Sequence, residues 1–171
     1  MSELDQPTPK GISRRTVAKA MAWSVPVVAV AAAVPAYAAS GSPPIIIAGT
    51  ACKSPGQSCS AFPFGYRVPV TIQNPDPTKT IYITAITITN NTCGNLTTAT
   101  SVPAVPITVP AGQTINATFV ANASNSANQS CTFSFSVDWG HAADGSDSGT
   151  HANIQVDIVI PSTPPDCICP T

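Results

Sequence analysis

Residues 138–151 read Asp-Trp-Gly-His-Ala-Ala-Asp-Gly-Ser-Asp-Ser-Gly-Thr-His. The stretch holds both histidines of the chain, His141 and His151, with Asp138, Asp144 and Asp147. Imidazole nitrogens and a carboxylate are donors that zinc accepts, so His141, Asp144, Asp147 and His151 form one candidate metal centre. Asp144, Ser146 and Asp147 suggest calcium instead. A calcium loop counted from Asp144 needs a carboxylate at its twelfth position, and Gln155 stands there. Glycine, aspartate and serine at this density are also what a long hairpin loop requires, and this turn-forming reading is the primary one.

The second chemistry-bearing set is six cysteines: Cys52, Cys59, Cys93, Cys131, Cys167 and Cys169. An even number implies disulfides if the chain reaches an oxidising compartment. Cys93 and Cys131 stand at the end and the start of neighbouring strand-like segments and are expected to pair. Cys52 and Cys59 precede the main set of strands, and Cys167 and Cys169 follow it. A double staple between the two ends of the domain is the preferred arrangement. A local Cys52–Cys59 bridge would instead leave Cys167-Ile168-Cys169 as a redox dithiol, whose short spacing makes a strained bridge.

These residues must be positioned by strands. Cys131 to Trp139 alternates strictly, with Phe133, Phe135, Val137 and Trp139 on one side and Thr132, Ser134, Ser136 and Asp138 on the other. Period two is the pleat of a strand with one buried and one wet face. Tyr66–Gln73, Thr114–Ala121 and Ala152–Ile160 alternate in the same way, and Ile45–Ala48 is a short apolar strand. Within Ile81–Asn90 the phase shifts from Ile81 and Ile83 to Ile86 and Ile88, which predicts a bulge near Ala85 or a strand buried on both faces. Val105–Val109 reads as an edge strand because of Pro106. Cys52–Pro63 reads as loop, and the polar run 90–100 has room for a short edge strand. Asn74-Pro75-Asp76-Pro77 is a turn, since proline fixes φ and Asn and Asp bond back to the backbone.

Residues 39–171 contain three cations, Lys53, Arg67 and Lys79, and six aspartates, a net charge of −3. No basic patch exists, which argues against a nucleic-acid partner. Neither glutamate nor methionine follows residue 38. Losing glutamate removes a good helix former, and the abundant Thr, Val and Ile favour strands. The size suits one domain with a single core.

Residues 1–38 are set apart. Lys10, Arg14, Arg15 and Lys19 precede an Ala/Val-rich run from Ala20 to Val34, and Ala36-Tyr37-Ala38 offers a small-any-small cleavage site before Ala39. This is the layout of a secretory signal. The apolar run is short for a membrane span and carries Pro26, so membrane contact is expected to be transient. Ser13-Arg14-Arg15-Thr16-Val17-Ala18-Lys19 closely resembles the twin-arginine export motif. An ordinary Sec signal with two chance arginines is the alternative. The leader as a whole is similar to those of small secreted actinobacterial proteins.

The expected fold is all-β, an immunoglobulin-like antiparallel β-sandwich of seven or eight strands, with a closed up-and-down barrel as the alternative. Strand, Val-Pro-Ala-Gly-Gln-Thr, strand over Tyr66–Ala121 weakly resembles bacterial immunoglobulin-like and hydin-like surface modules. The expected organisation is a cleaved leader (1–38), an N-terminal segment with a disulfide loop (39–65), the sandwich (66–160) and a Cys-containing tail (161–171). Asp147-Ser148-Gly149 echoes the surroundings of trypsin-like nucleophiles, but the flanking glycines are missing and the chain is short for that double barrel. A cupredoxin needs a methionine ligand that residues 39–171 lack. The expectation is a non-enzymatic, cofactor-free module, secreted or wall-associated, that is structural or binds a cell-envelope or extracellular partner. An exported metal-binding protein or enzyme using 138–151, and a carrier of an apolar small molecule between the sheets, are the alternatives.

Overall fold

A computed structural model describes residues 41–56 and 62–168, which lie within one compact unit. Arg14, Arg15, the Ala38–Ala39 junction, Cys59 and Cys169 fall outside the described residues. The strands are β1 (Ile45–Ala48), β2 (Cys52–Lys53), β3 (Gly65–Gln73), β4 (Ile81–Thr89), β5 (Leu96–Val102), β6 (Ile107–Val109), β7 (Thr114–Ala123), β8 (Cys131–Gly140) and β9 (Ile154–Ile160). They form two antiparallel sheets. The first has the order β1-β3-β7-β5, with β2 also on β3, and the second has β6-β4-β8-β9. The sheets stay separate and pack face to face, so the molecule is a sandwich and not a closed barrel. The order β1-β3-β7-β5 facing β4-β8-β9 is the A-B-E-D and C-F-G arrangement of the immunoglobulin fold. Strand β6 is an addition beside β4.

Two local expectations are corrected. Cys52 and Lys53, placed in a loop, form β2 and pair with Arg67 and Tyr66. The 105–109 strand begins only at Ile107, because Pro106 has no N–H to continue the ladder. The edge strand for which the polar run after Asn90 had room is present as β5, which extends to Val102. Threonine is a good strand former, and an edge strand needs few apolar side chains. The predicted bulge is present: the β4–β8 register shifts between Ile83 and Ala85.

Strands β1 and β2 are one edge strand broken at residues 49–51. The carbonyl of Pro69 accepts the Gly49 N–H at 2.8 Å. A residue's N–H and C=O point to the same side of a strand, so the N–H that Pro69 lacks would also face this edge, and regular pairing lapses there.

The core lies between Tyr66, Val68, Val70, Ile72, Ala117, Phe119 and Ala121 of the first sheet and the inner faces of β4, β6, β8 and β9. Phe133 and Phe135 are fully buried. Phe133 stacks on Tyr66 at 5.7 Å, and Phe135 meets Phe119 edge-on at 5.4 Å. In the β8–β9 ladder, Phe133 lies opposite Ile158, Phe135 opposite Val156 and Val137 opposite Ile154, as the alternation predicts. The wet face of β8 is less wet than its sequence suggests: Ser134 and Ser136 are buried. Strand β8 is central, so side chains from neighbouring segments crowd this face. Ser134 Oγ donates to Asp157 Oδ1 at 2.6 Å, and Asn153 Nδ2 donates to Ser136 Oγ at 3.3 Å.

Two disulfides hold the described chain. Cys93–Cys131 joins the β4–β5 connection to the head of β8, and Cys52–Cys167 joins β2 to the tail. The first is the expected pair and the second an end-to-end staple. The tail runs parallel to β2: Lys53 N–H donates to Pro165 O and Cys167 N–H to Lys53 O, each at 2.8 Å.

Phe135→Ala should cost about 3–5 kcal/mol, the range for truncating a buried phenylalanine, read as a lowered melting temperature of oxidised protein. Removing Cys93–Cys131 should cost roughly 2–4 kcal/mol. Melting of Phe135→Ala within a degree or two of wild type would show that β8 is not central.

Candidate functional site

The 138–151 stretch is part strand and part loop. Asp138, Trp139 and Gly140 complete β8, and the loop begins at His141. Local turns build it. Gly145 N–H bonds to Ala142 O, Ser148 N–H to Gly145 O and Thr150 N–H to Asp147 O, and Ser148–Thr150 is one 3-10 turn.

Asp147 folds back on the loop's own start. Its carboxylate accepts the His141 N–H at 2.7 Å and the Ala142 N–H at 3.1 Å. Gly140 makes room for this, since a Cβ there would overlap Asp147 Oδ1. Partial burial opposes the Asp147 charge, but these N–H groups, its own N–H and His151 outweigh it and hold the carboxyl below its ordinary range. Asp144 points elsewhere. It accepts the Ser146 N–H at 3.0 Å in a local turn, which lowers its pKa.

Both histidines pack on Trp139. The His151 ring lies 4.2 Å from the indole and the His141 ring 5.9 Å from it. Trp139 Nε1 donates to Ala152 O at 3.0 Å. The His151 side chain is 4% exposed, and its Nε2 is 3.7 Å from Asp147 Oδ2. His141 Nδ1 is 2.9 Å from Thr80 O. A carbonyl only accepts, so Nδ1 carries the proton and Nε2 of the neutral ring offers a lone pair. Nε2 of His141 and Nδ1 of His151 are buried without a partner. Gly41 sits where a Cβ would be 3.0 Å from Asp76 Oδ2 and 3.1 Å from His141 Nε2.

The turns at this end are tied together by Asn74, which is fully buried. Its Nδ2 reaches Lys79 O, Val109 O and Pro110 O at 2.8, 3.0 and 3.2 Å, and its Oδ1 accepts the Asp76 N–H at 2.9 Å. Asp76 Oδ1 takes the N–H groups of Thr78 and Lys79 and the Thr78 hydroxyl, which lower its pKa.

The structure thus unites His141, His151 and Asp147 and leaves Asp144 aside. Among the described residues no group of three or more His, Cys, Asp or Glu is placed to hold a metal ion. The Ser148 hydroxyl donates to Gly145 O at 2.8 Å, inside its own turn. Cys167 is bonded to Cys52, so neither the local Cys52–Cys59 bridge nor a Cys167–Cys169 dithiol is formed. What the arrangement does is seal the end of the sandwich over Trp139. Thr80, Gly140 and Asn74 belong to this seal and escaped the sequence reading; only the Asn-Pro-Asp-Pro turn gave a signal for Asn74.

A concavity of about 440 Å³ lies on the outer face of the first sheet, between Phe62, Pro69, Val102, Val120 and Ile168. It is largely apolar, but it lies outside the sandwich and not between the sheets, where the apolar-molecule carrier would hold its cargo. Comparison with protein-family models, with curated proteins and with solved structures finds no match to this chain.

Asp147→Ala should cost about 1–3 kcal/mol, because two N–H groups lose a charged acceptor. The folded Asp147 pKa is depressed, so its contribution is present above the unfolded value of about 3.9 and is lost as pH falls through the lower folded value. A series of melts from pH 6 to pH 2 should therefore show a shallower acid limb for Asp147→Ala than for wild type. Parallel curves would remove this role.

Proposed function

We propose that the chain is a secreted or cell-surface-associated, non-catalytic immunoglobulin-like module that is structural or binds a partner in the cell envelope or medium. The observation that carries this reading is the disulfide-stapled sandwich. Two bonds, Cys52–Cys167 and Cys93–Cys131, are compatible with an oxidising compartment. They join with the leader, where Arg14 and Arg15 precede an Ala/Val run and the Ala38–Ala39 junction. Two of the residues equipped for chemistry have structural roles: Asp147 bonds the loop backbone, and His151 packs on Trp139. The mature chain starts at Ala39 in this reading.

Replacing Arg14 and Arg15 together by lysine should abolish appearance of the protein in the medium. The twin-arginine route reads paired guanidinium groups, which ammonium groups do not reproduce. Secretion at an unchanged rate would reassign the leader to the Sec route. Protein in the medium with Met1 intact would remove the signal argument.

A further inference from the structure

The two sheets do not close along the seam between β4 and β5. Strand β6 pairs with β4 only opposite Ile81–Ile83, and Pro106, just ahead of β6, has no N–H to extend that pairing. From Ala85 to Thr89, β4 pairs with β8 on one side. Among the described residues no strand pairs with its other side. Among the described residues, strand β5 across the gap is likewise an edge, paired only with β7. Two cavities, of about 430 and 170 Å³, follow this seam and share Ile86 and Ala99. The floor is apolar, from Ile86, Ile88, Leu96 and Ala99, with Val105 at the rim, and among the described residues no charged side chain lines either cavity. Two hydroxyls at the smaller cavity, Thr84 Oγ1 and Ser101 Oγ, are buried without a partner, and Ser101 is only 9% exposed.

These features ask for a particular occupant. A row of unpaired backbone N–H and C=O groups is satisfied by another extended chain, and proteins that avoid such pairing guard their edges with lysine, proline or inward charge. Neither Ala85–Thr89 nor β5 carries a charge or a proline. The β6 row shows how a strand seats on this edge, and the open stretch lies next to it, beyond the bulge between Ile83 and Ala85. We propose that the seam binds an extended, uncharged peptide strand of another protein, added antiparallel to β4 in line with β6. Its backbone continues the β4 ladder over five residues, a length of about 17 Å. Alternate small or β-branched side chains lie beside Ile86 and Ile88, and the Ser101 and Thr84 hydroxyls donate to its carbonyls. This deepens the partner-binding reading above by naming the kind of partner, but it concerns the folded domain and not its route of export.

The test uses oxidised protein covering residues 39–171 and a labelled seven-residue peptide of alternating threonine and valine, followed by fluorescence anisotropy. Two further peptides are N-methylated, one at every valine and one at every threonine. Added as a strand, the peptide turns one set of N–H groups to β4 and the other to solvent. One methylated peptide should therefore bind at least about tenfold more weakly and the other should bind as the parent does. Ser101→Ala should weaken the parent about two- to tenfold, and Val105→Lys, at a half-exposed rim position, should weaken it without changing the melting temperature. Absence of saturable binding overturns the proposal, as does equal binding by all three peptides. A dimer of the protein that Val105→Lys dissociates also overturns it, since a second copy would then occupy the edge. Export results bear on none of these outcomes.

Discussion

Everything in this sandwich is arranged around two phenylalanine rings. Phe133 and Phe135 project from β8 into the space between the sheets and are met there by Tyr66 and Phe119 from the other side. Aromatic pairs at such distances add directional preference to area burial, so the contact fixes how the sheets face each other as well as holding them together. The same rings fix register. A slip of β8 by one residue would turn both rings to the outside and bring Ser134 and Ser136 into the core. Cys131 makes such a slip harder, because its bond to Cys93 anchors the head of the strand. Tyr66 joins the two devices: its ring stacks on Phe133, and its hydroxyl bonds to Asn128 O and lies 3.6 Å from Cys131 Sγ. Burial raises the pKa of that hydroxyl and keeps it a donor.

The two ends of the barrel-less core are finished by different chemistry. One end has the disulfide, Tyr66 and Asn128. The other has polar side chains that satisfy turn backbone from within: Asn74 for the turns after β3 and β6, and Asp147 for the loop after β8. In both, a short polar side chain takes on backbone groups that would otherwise be buried without partners. The histidines add apolar cover for Trp139. Polarity at this end is thus spent on closing turns.

Much of the fold is legible in the sequence because strand burial has a period of two. Phe133 to Trp139, Tyr66 to Ile72 and Val156 to Ile160 announce their inner faces, and the phase change after Ile83 announces the bulge. The misreadings have a common cause. Strand β2 has two residues, too few for any period to show, and exists through pairing to β3 and the tail. Strand β5 lacks an apolar alternation because it lies at an edge. Burial of Ser134 and Ser136 follows from the central place of β8, which its own residues do not encode. The candidate site was legible as a loop of turn formers with two imidazoles. That Asp147 would reach back to the His141 and Ala142 N–H groups depends on Gly140, a residue with no side chain to advertise its role.

The Cys52–Cys167 bond has a mechanical side. It joins residues separated by 115 positions, with Cα atoms only 4.9 Å apart. A pull along the chain, applied ahead of Cys52 and beyond Cys167, would pass from β2 to the tail through one covalent link. The intervening span, with nearly the whole sandwich, would bear almost none of that load and could not be drawn out while the bond lasted. Under tension the domain would behave as an inextensible knot on a short tether, and its strength would be set by the redox state of its surroundings instead of by its hydrogen bonds.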